Sequence, residues 1–301
     1  MYKEGALAPF LRRRRITKMN TISVKCPAKL NLSLDAVKKR SDGYHELRMI
    51  MQTVDIYDTV TVTVSDGSGI TVSCDKGDIP SDENNICFKA AKLFFESLKK
   101  EKNVKIDIIK KIPSGAGMAG GSADAAGTLK ALNELEGSPF SDAELKAIGK
   151  KVGADVPFCI EGGCQLCEGI GEILTPVNPM KNVYVVIVKP EFSVSTIWVY
   201  KNLKLNENSL HPDTDKLITL FEKEEYEDFK LYSGNTLEAV TIKEYPEINE
   251  YKKKLYSFGA FYSMMTGSGP TVFGLFNEKE DAEKAFEYFE KTVKDTFLIS
   301  M

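Results

Sequence analysis

The glycine-rich run PSGAGMAGGSAD, residues 113–124, limits the folds open to this chain, because such runs join a strand to a helix around a phosphate group. It contains a G-x-G-x-x-G pattern at Gly115, Gly117 and Gly120, which is typical of dinucleotide-binding folds. Such a fold needs a second buried strand that ends in an acidic residue about 20 residues after the glycines. The following sequence instead predicts two helices, SADAAGTLKALNELEG and SDAELKAIGKKVG, and therefore disfavours a hydride-transfer enzyme.

Two other phosphate-binding loops are also disfavoured by the residues that follow the glycines. Gly121 is followed by Ser122 rather than by the lysine of a P-loop, and Ala123 replaces the valine expected in a protein-kinase glycine loop. The glycines still allow close backbone approach, and a helix that begins near Ser122 directs its free N–H groups to the same place. The run therefore predicts a phosphate site at the start of a helix.

Charge and hydropathy exclude several classes of protein. The chain has 40 basic and 43 acidic side chains and a net charge of −3, so no electrostatic footprint for nucleic acid or an anionic membrane is present. No apolar run is long enough to span a bilayer. The basic cluster at residues 12–15 is not followed by the hydrophobic stretch of a secretory signal. We expect a cytoplasmic protein, a monomer or homodimer, in which residues 1–20 form a flexible extension.

Three of the six cysteines, Cys159, Cys164 and Cys167, have the spacing that opens a plant-type iron–sulfur site. That site needs a fourth cysteine downstream, and none follows Cys167. The segment VPFCIEGGCQLCEG instead predicts two buried strand pieces around a Gly-Gly turn. We therefore expect these cysteines to pack as small apolar side chains.

The order of patterns along the chain predicts two α+β domains. Strand patterns run through TISVKC, KLNLSL, LRMIMQTVDI, DTVTVTV and ITVSC, and a helix follows with Asn84 or Asn85 as its N-cap. Ser141 and Glu144 form the signature of a capping box. From VYVVIVKP onward, strand, helices, strand, strand, helix and strand suggest an α+β sandwich. We place a first domain over residues 21–180 and a second over 181–301.

Four short segments carry the candidate chemistry. PAKLNLSLD alternates so that Lys29, Asn31 and Ser33 share one strand face, which fits either a polar site or a solvated face. DGYHEL supplies adjacent aromatic rings suited to stacking on a base, and GADVPF places Asp155 at a predicted helix-to-strand junction. The fourth segment, MTGSGPTVFGLF, is a second glycine-rich loop.

Together these segments resemble the GHMP kinase superfamily, whose members include galactokinase, homoserine kinase and mevalonate kinase. PSGAGMAGGSADAA is similar to the family's central phosphate loop, and MMTGSGPTVFGLF is similar to its C-terminal glycine loop. Within the superfamily, PAKLNLSLDAVKKRSDGYHEL and GADVPFCIEGG are similar to the members that phosphorylate a cytidine-diphosphate-linked methylerythritol in the non-mevalonate isoprenoid pathway. The resemblance implies a ribosomal-S5-like N-terminal domain, a ferredoxin-like C-terminal domain and a cleft between them for ATP and this small-molecule substrate.

The resemblance also implies roles for individual residues. Lys29 and Asp155 match the family's catalytic lysine and aspartate, with Lys29 close enough to keep Asp155 ionised. The substrate-binding positions are matched by Asn31, Tyr44, His45, Thr196 and Tyr200. Nucleotide binding is assigned to Asn85, Pro113, Ser114, Gly115, Ala116, Gly117, Met118, Ala119, Gly120, Gly121, Ser122 and Ala123. Magnesium is expected with ATP, and its ligands are open except for Ser122 as a candidate.

Two other functions stay open on the sequence. The acceptor could be of the homoserine or mevalonate type, in which case Tyr44 would not affect substrate affinity. A nucleotide-binding protein without turnover is the other alternative, and the pair of Lys29 and Asp155 argues against it.

Overall fold

The computed structural model describes residues 20–77 and 79–301, so the predicted extension falls outside the described residues apart from Asn20, where the first strand begins. Ten strands and ten helices are found in the described ranges. The strands are β1 Asn20–Lys39, β2 His45–Ser65, β3 Gly69–Cys74, β4 Asn103–Ile109, β5 Cys164–Gly169, β6 Ile173–Pro176, β7 Tyr184–Lys189, β8 Tyr262–Met265, β9 Val272–Phe276 and β10 Asp295–Ser300. The helices are α1 Ile86–Leu98, α2 Gly120–Leu135, α3 Asp142–Val152, α4 Val156–Glu161, α5 Thr196–Asn202, α6 Thr214–Lys223, α7 Phe229–Tyr232, α8 Glu238–Glu244, α9 Glu247–Ser257 and α10 Lys279–Phe289.

The first six strands form one mixed sheet, in which the long β2 joins the others. The strand order is β3-β4-β2-β5-β6, and β1 pairs with β2 along almost its whole length. Residues 47–52 of β2 pair with β5, and residues 59–65 pair with β4. The four segments predicted as separate strands between Thr21 and Val64 are therefore two continuous strands. The register shift between Pro27 and Ala28 accommodates a proline that lies inside β1.

The last four strands form an antiparallel sheet of order β10-β7-β9-β8. The order of elements from β7 to β10, which is strand, helices, strand, strand, helix and strand, is the predicted one. The two-domain α+β architecture is confirmed. The predicted boundary at residue 180 falls in the connection between β6 and β7, and the division itself stays a prediction.

The outer edge of β1 is covered by a segment from the C-terminal half of the chain. Leu34 N donates to Gly234 O at 2.9 Å, and Thr236 N donates to Leu34 O at 3.0 Å. The Ser233 hydroxyl donates to Leu32 O at 2.7 Å. Pairing of this kind satisfies backbone groups that would be unpaired at a sheet edge and holds the two halves of the chain together.

One predicted strand is a helix. The first part of VPFCIEGGCQLCEG forms α4, and only the second part forms the strand β5. β-branched and aromatic residues suggested a strand, but Pro157 occupies the first turn, where its missing N–H costs nothing. Asp155 therefore lies at a junction between two helices, α3 and α4, and not between a helix and a strand.

Candidate active site

A cavity of about 1050 Å³ lies between the two halves and is lined by almost all of the predicted site residues. Residues of β1, the glycine-rich run, α5 and the C-terminal glycine loop face it together. The predicted residues that line it are Lys29, Asn31, Tyr44, His45, Asn85, Pro113, Ser114, Gly115, Ala116, Gly117, Met118, Ala119, Gly120, Gly121, Ser122, Asp155, Thr196 and Tyr200. Ala123 does not line the cavity, and its side chain is buried.

The start of α2 differs from the prediction by two residues. Ala119 has a left-handed backbone conformation (φ 60°) and is the N-cap, so the helix begins at Gly120 rather than near Ser122. Ala123 N donates to Ala119 O at 2.8 Å, which places this N–H inside the helix, and the assignment of Ala123 to nucleotide binding stays a prediction. The earlier N–H groups of the first turn, at Gly120, Gly121 and Ser122, face the cavity end of the helix. These N–H groups and the helix dipole make that end suitable for an anion.

Two glycines, one in each glycine-rich loop, allow the two loops to pack against each other and also allow a ligand to come close to the backbone. Gly117 has φ +70°, and a Cβ at this position would lie 2.5 Å from Thr266 O. Gly267 has φ +58°, and its Cβ would lie 2.9 Å from Gly117 O. A side chain at either position would separate the central glycine-rich run from the C-terminal glycine loop.

Lys29 and Asn31 lie on the same face of β1, as the alternation predicted, but that face is buried. The Lys29 ammonium donates to Asn31 Oδ1 at 2.6 Å and to Gly117 O at 2.8 Å. Asn31 N in turn donates to the Thr266 hydroxyl at 2.9 Å. Lys29 and Asn31 are 4% and 1% exposed, which rules out a solvated strand face. The pair therefore connects β1 to both glycine loops.

Asp155 contributes an uncommitted carboxylate to the same cavity. It is half-buried and is the N-cap residue of α4, yet its side chain makes no capping hydrogen bond. Across the described ranges, no ion pair joins it to Lys29, because Lys29 is held on Asn31 and Gly117. Both residues line one cavity, and the prediction that Lys29 keeps Asp155 ionised stays a prediction.

Aromatic side chains line the other end of the cavity. The rings of His45 and Tyr200 lie 5.3 Å apart at an angle of 32°, and Tyr44 beside them is 61% exposed. Burial lowers the pKa of His45, and the charge of Lys39 lowers it further, so its imidazole is neutral at neutral pH. The hydroxyl of Thr196 forms a hydrogen bond of 2.8 Å with that of Ser268. This end has the form of a flat site for an aromatic ring.

Asn85 stabilises the beginning of α1. It is the N-cap of α1, and its Oδ1 accepts a hydrogen bond from Cys87 N at 2.8 Å. Its amide nitrogen donates to Pro80 O at 2.6 Å. One of the two predicted N-caps, Asn84 or Asn85, is thereby identified, and the adenine contact of Asn85 stays a prediction.

A buried group of charges at the cavity was missed by reasoning from the sequence. Lys110 lines the cavity and donates to the carboxylates of Asp58 and Asp124, the latter at 2.7 Å. All three side chains are buried. These residues are separated by 52 and 14 positions, and the sequence around each of them resembles an ordinary strand or helix. No local signal could have joined them.

The cysteines are buried, as the sequence suggested. Cys159, Cys164 and Cys167 are buried, and burial raises the pKa of each thiol. A buried thiol with a raised pKa is a poor nucleophile and a poor metal ligand. Within residues 20–77 and 79–301, no three His, Cys, Asp or Glu side chains are grouped as metal ligands. None of the helices described in those ranges has the length and apolar character required to span a bilayer.

Sequence comparisons agree with this arrangement. The GHMP kinases N terminal domain matches residues 85–163, and the GHMP kinases C terminal domain matches residues 217–295. A 4-diphosphocytidyl-2-C-methyl-D-erythritol kinase of Acetivibrio thermocellus is 49% identical over 93% of this chain and 99% of its own length. The enzyme of the same name from Lachnoclostridium phytofermentans is 47% identical over 93% of this chain and 97% of its own.

Solved structures of two kinases share the fold. The crystal structure of a 4-(cytidine 5'-diphospho)-2C-methyl-D-erythritol kinase superimposes with a TM-score of 0.78 and 28% identity, covering 93% of this chain and 98% of that one. A homoserine kinase from Cytophaga hutchinsonii superimposes with a TM-score of 0.76 and 21% identity over 93% of this chain and 95% of that one, which shows a shared fold alone. With both family models matched in order and relatives almost half identical over nine-tenths of its length, the chain belongs to the GHMP kinase family of small-molecule kinases.

Proposed function

We propose that this kinase transfers the γ-phosphoryl group of ATP to the 2-hydroxyl of 4-diphosphocytidyl-2-C-methyl-D-erythritol, a step of the non-mevalonate isoprenoid pathway. A single cavity carries the proposal, because it joins a helix start suited to phosphate, a half-buried carboxylate and a flat aromatic end. The triphosphate of ATP needs the first feature. The acceptor hydroxyl and the base of a polyol joined to a nucleoside diphosphate need the other two in the same space. The relatives that bear this enzyme's name support the same substrate.

The nucleotide is assigned to the glycine-rich end. The first-turn N–H groups of α2 and the positive end of its dipole would hold the triphosphate, and small residues leave room for it. Magnesium, when bound, would neutralise charge on the phosphates. Mg²⁺ usually binds through one or two protein oxygens together with phosphate oxygens, and the Ser122 hydroxyl at the cavity wall fits that pattern.

Asp155 is assigned the role of general base. In the transfer, the acceptor hydroxyl oxygen forms a bond to the γ-phosphorus while the bond from that phosphorus to the β,γ-bridging oxygen breaks. The hydroxyl proton passes to the Asp155 carboxylate, which neither the α4 cap nor Lys29 occupies. Lys29 would stabilise negative charge on the transferring group from its position between Asn31 and Gly117.

The aromatic end is assigned to the cytosine. Tyr44 and the pair of His45 and Tyr200 line the cavity, and stacking on a base contributes about 1–3 kcal/mol for each base. A neutral His45 can both donate and accept hydrogen bonds, as recognition of a base edge requires. Homoserine and mevalonate have no ring to occupy this end.

The test combines a substrate panel with one isosteric variant. ADP release is measured with the cytidylyl substrate, homoserine and mevalonate, for wild type, Asp155→Asn and the control Asp142→Asn on the exposed surface of α3. We expect turnover with the cytidylyl substrate only, and a loss of about 10²–10⁴-fold in Asp155→Asn, the contribution typical of a positioned base. ATP affinity, measured by calorimetry, stays near the wild-type value in both variants.

Two outcomes would contradict the proposal. Turnover of homoserine or mevalonate in preference to the cytidylyl substrate would reject the substrate. Full activity in Asp155→Asn would reject the role of the carboxylate, since the amide cannot accept the proton.

A further inference from the structure

More positively than negatively charged side chains line the cavity. Four lysines and two aspartates line it, namely Lys29, Lys39, Lys110, Lys201, Asp124 and Asp155. The chain as a whole carries a net charge of −3, which repels anions. A kinase with a nucleoside-diphosphate substrate must nevertheless admit two polyphosphates to this space, so the position of the local positive charges matters for entry.

Two of the four lysines are already committed inside the protein. Lys110 is buried against Asp58 and Asp124, so its charge is compensated. Lys29 is buried and donates to Asn31 Oδ1 and Gly117 O at the glycine-rich end. Neither ammonium meets an anion at the outer part of the cavity.

The other two lysines, Lys39 and Lys201, line the cavity beside residues of the aromatic end. Lys39 is the last residue of β1 and is the pairing partner of His45. Lys201 follows Tyr200 on α5, and the rings of His45 and Tyr200 are in contact. Both lysines are exposed, and in the described ranges neither of them makes an ion pair. Burial and, second to it, the charge of Lys39 lower the pKa of His45, in keeping with the pairing of these two residues.

Cavity-lining residues near these lysines are exposed to solvent, as is expected at the opening of a cavity. Tyr44 is 61% exposed and Ile197 is 82% exposed, and both line the cavity. Exposed apolar side chains that belong to a cavity lining are typical of a ligand-binding groove. The lysines thus stand where the cavity opens to solvent on its aromatic side.

We propose that Lys39 and Lys201 form a cationic entrance that attracts the diphosphate of the substrate and accelerates its association. The proposal rests on the proposed function and adds to it two residues that select an anionic substrate before chemistry begins. Opposite charges at a cleft raise association rates by a factor of about 10–10³, and the effect weakens as salt screens it. The lysines act on capture and not on the phosphoryl transfer, which takes place at the Asp155 end.

The chain offers a control of equal charge change. Lys38 precedes Lys39 on β1 and Lys204 follows α5, and both are exposed outside the cavity lining. Lys39→Gln/Lys201→Gln and Lys38→Gln/Lys204→Gln therefore remove the same charge at nearly the same place in the sequence. Only the first pair removes it from the cavity.

The experiment measures kcat and kcat/KM of both double variants at low and at physiological salt. We expect the cavity pair to lower kcat/KM for the cytidylyl substrate about tenfold at low salt, with a smaller effect at physiological salt and with kcat unchanged. The control pair stays within about twofold of wild type. Equilibrium binding of CDP and of cytidine is measured in parallel, and only the binding of CDP weakens in the cavity pair.

The two readouts separate failure of this inference from failure of the proposed function. Wild-type protein that binds CDP but does not turn over the cytidylyl substrate would reject the function, while the CDP and cytidine comparison would still test the entrance. Equal losses for the two double variants, equal losses for CDP and cytidine, or no salt dependence would each overturn the inference.

Discussion

The buried group of Lys110, Asp58 and Asp124 contains two carboxylates and one ammonium, so its charges do not balance when both acids are ionised. Asp58 Oδ1 accepts hydrogen bonds from Lys111 N at 2.6 Å and Ile112 N at 2.8 Å. Asp124 Oδ1 has no hydrogen-bond partner among the described residues. Asp124 is therefore the acid that takes up a proton more readily.

The pKa of Asp124 follows from these contacts. Burial is the main cause and, with the charge of Asp58, raises the pKa to about 7 against the opposing effect of Lys110. In the unfolded chain the same acid titrates near pH 3.9. Between these values the folded state binds more protons than the unfolded state, so its stability falls as pH rises from about 4 to 7.

Asp124→Asn should remove this loss, because an amide has the same shape and no charge to bury. We expect the free energy of unfolding of the variant, relative to wild type, to rise by about 3 kcal/mol between pH 4.5 and 7.5 in urea titrations, given about 1.4 kcal/mol for each pKa unit. Asp142→Asn, on the exposed surface of α3, is a control. A difference between variant and wild type that does not change with pH would contradict the raised pKa.

The residues that the sequence placed correctly in the cavity are those with a local signal. Lys29 and Asn31 follow from strict alternation on a strand, and Tyr44 and His45 follow from the DGYHEL motif. Lys110 and Asp124 have no such signal, because their role depends on their contact with Asp58, which lies on β2. Buried ion pairs between distant positions depend on the fold and cannot be seen before it is known.

At the scale of elements, α2 lies against β1 with an unusually close contact. Gly127 is buried in the middle of the helix, and a Cβ added there would lie 2.2 Å from the sulfur of Cys26 on β1. Glycine in a helix interior costs about 1 kcal/mol relative to alanine. The close packing of helix and strand explains why a residue that weakens the helix is present.

Gly127→Ala should consequently destabilise the protein although it raises helix propensity. Overpacking of a buried site costs about 1–3 kcal/mol, which exceeds the gain in propensity. Adding Cys26→Ala removes the sulfur that the new methyl group would meet, so the double variant should recover part of the loss. Unfolding in denaturant of the two single variants and the double variant gives the coupling energy.

Gly121→Ala serves as the control on the same helix, because its Cβ would meet nothing closer than Ile86 Cγ2 at 3.5 Å. We expect this variant to be as stable as wild type or slightly more stable. Additive effects of Gly127→Ala and Cys26→Ala would show that the two positions are not in contact.

Elements with terminal signals were predicted best. The capping box of α3 is confirmed, with Ser141 and Glu144 bonded in both directions. The division of β1 into the separate strands TISVKC and KLNLSL and the strand predicted over α4 were wrong for a common reason. Propensity describes a residue in isolation, whereas a bulge in a long strand and a six-residue buried helix are stabilised by the neighbours that pack on them.

At the scale of the whole molecule, the cavity is shaped by contacts between the two halves of the chain. The Asn235 amide donates to Met265 O and to Gly267 O, each at 2.8 Å, while the backbone next to it pairs with β1. Lys29 and Gly117 connect the same strand to the central glycine-rich run. The positions of the phosphate site and of the C-terminal loop are therefore determined jointly.

Gly117→Ala tests that joint determination. The new Cβ would lie 2.5 Å from Thr266 O, so the two glycine loops must separate, and the Gly117 carbonyl that holds Lys29 must move with them. A displacement of about 1 Å in a site can cost about 100-fold in rate. We expect a loss of that size in kcat/KM, with higher KM values for both substrates.

Gly137→Ala separates this effect from backbone strain. Gly137 also has a left-handed backbone (φ +81°), but nothing lies within 4 Å of an added Cβ. Both variants should lose about 1–2 kcal/mol of stability in denaturant titrations, because alanine is strained at positive φ, and Gly117→Ala should lose more because of its contact with Thr266 O. Only Gly117→Ala should also lose activity, since only there does the methyl group meet the other half of the molecule. Equal activity of the two variants would mean that the loops move apart without consequence and that their contact does not set the geometry of transfer.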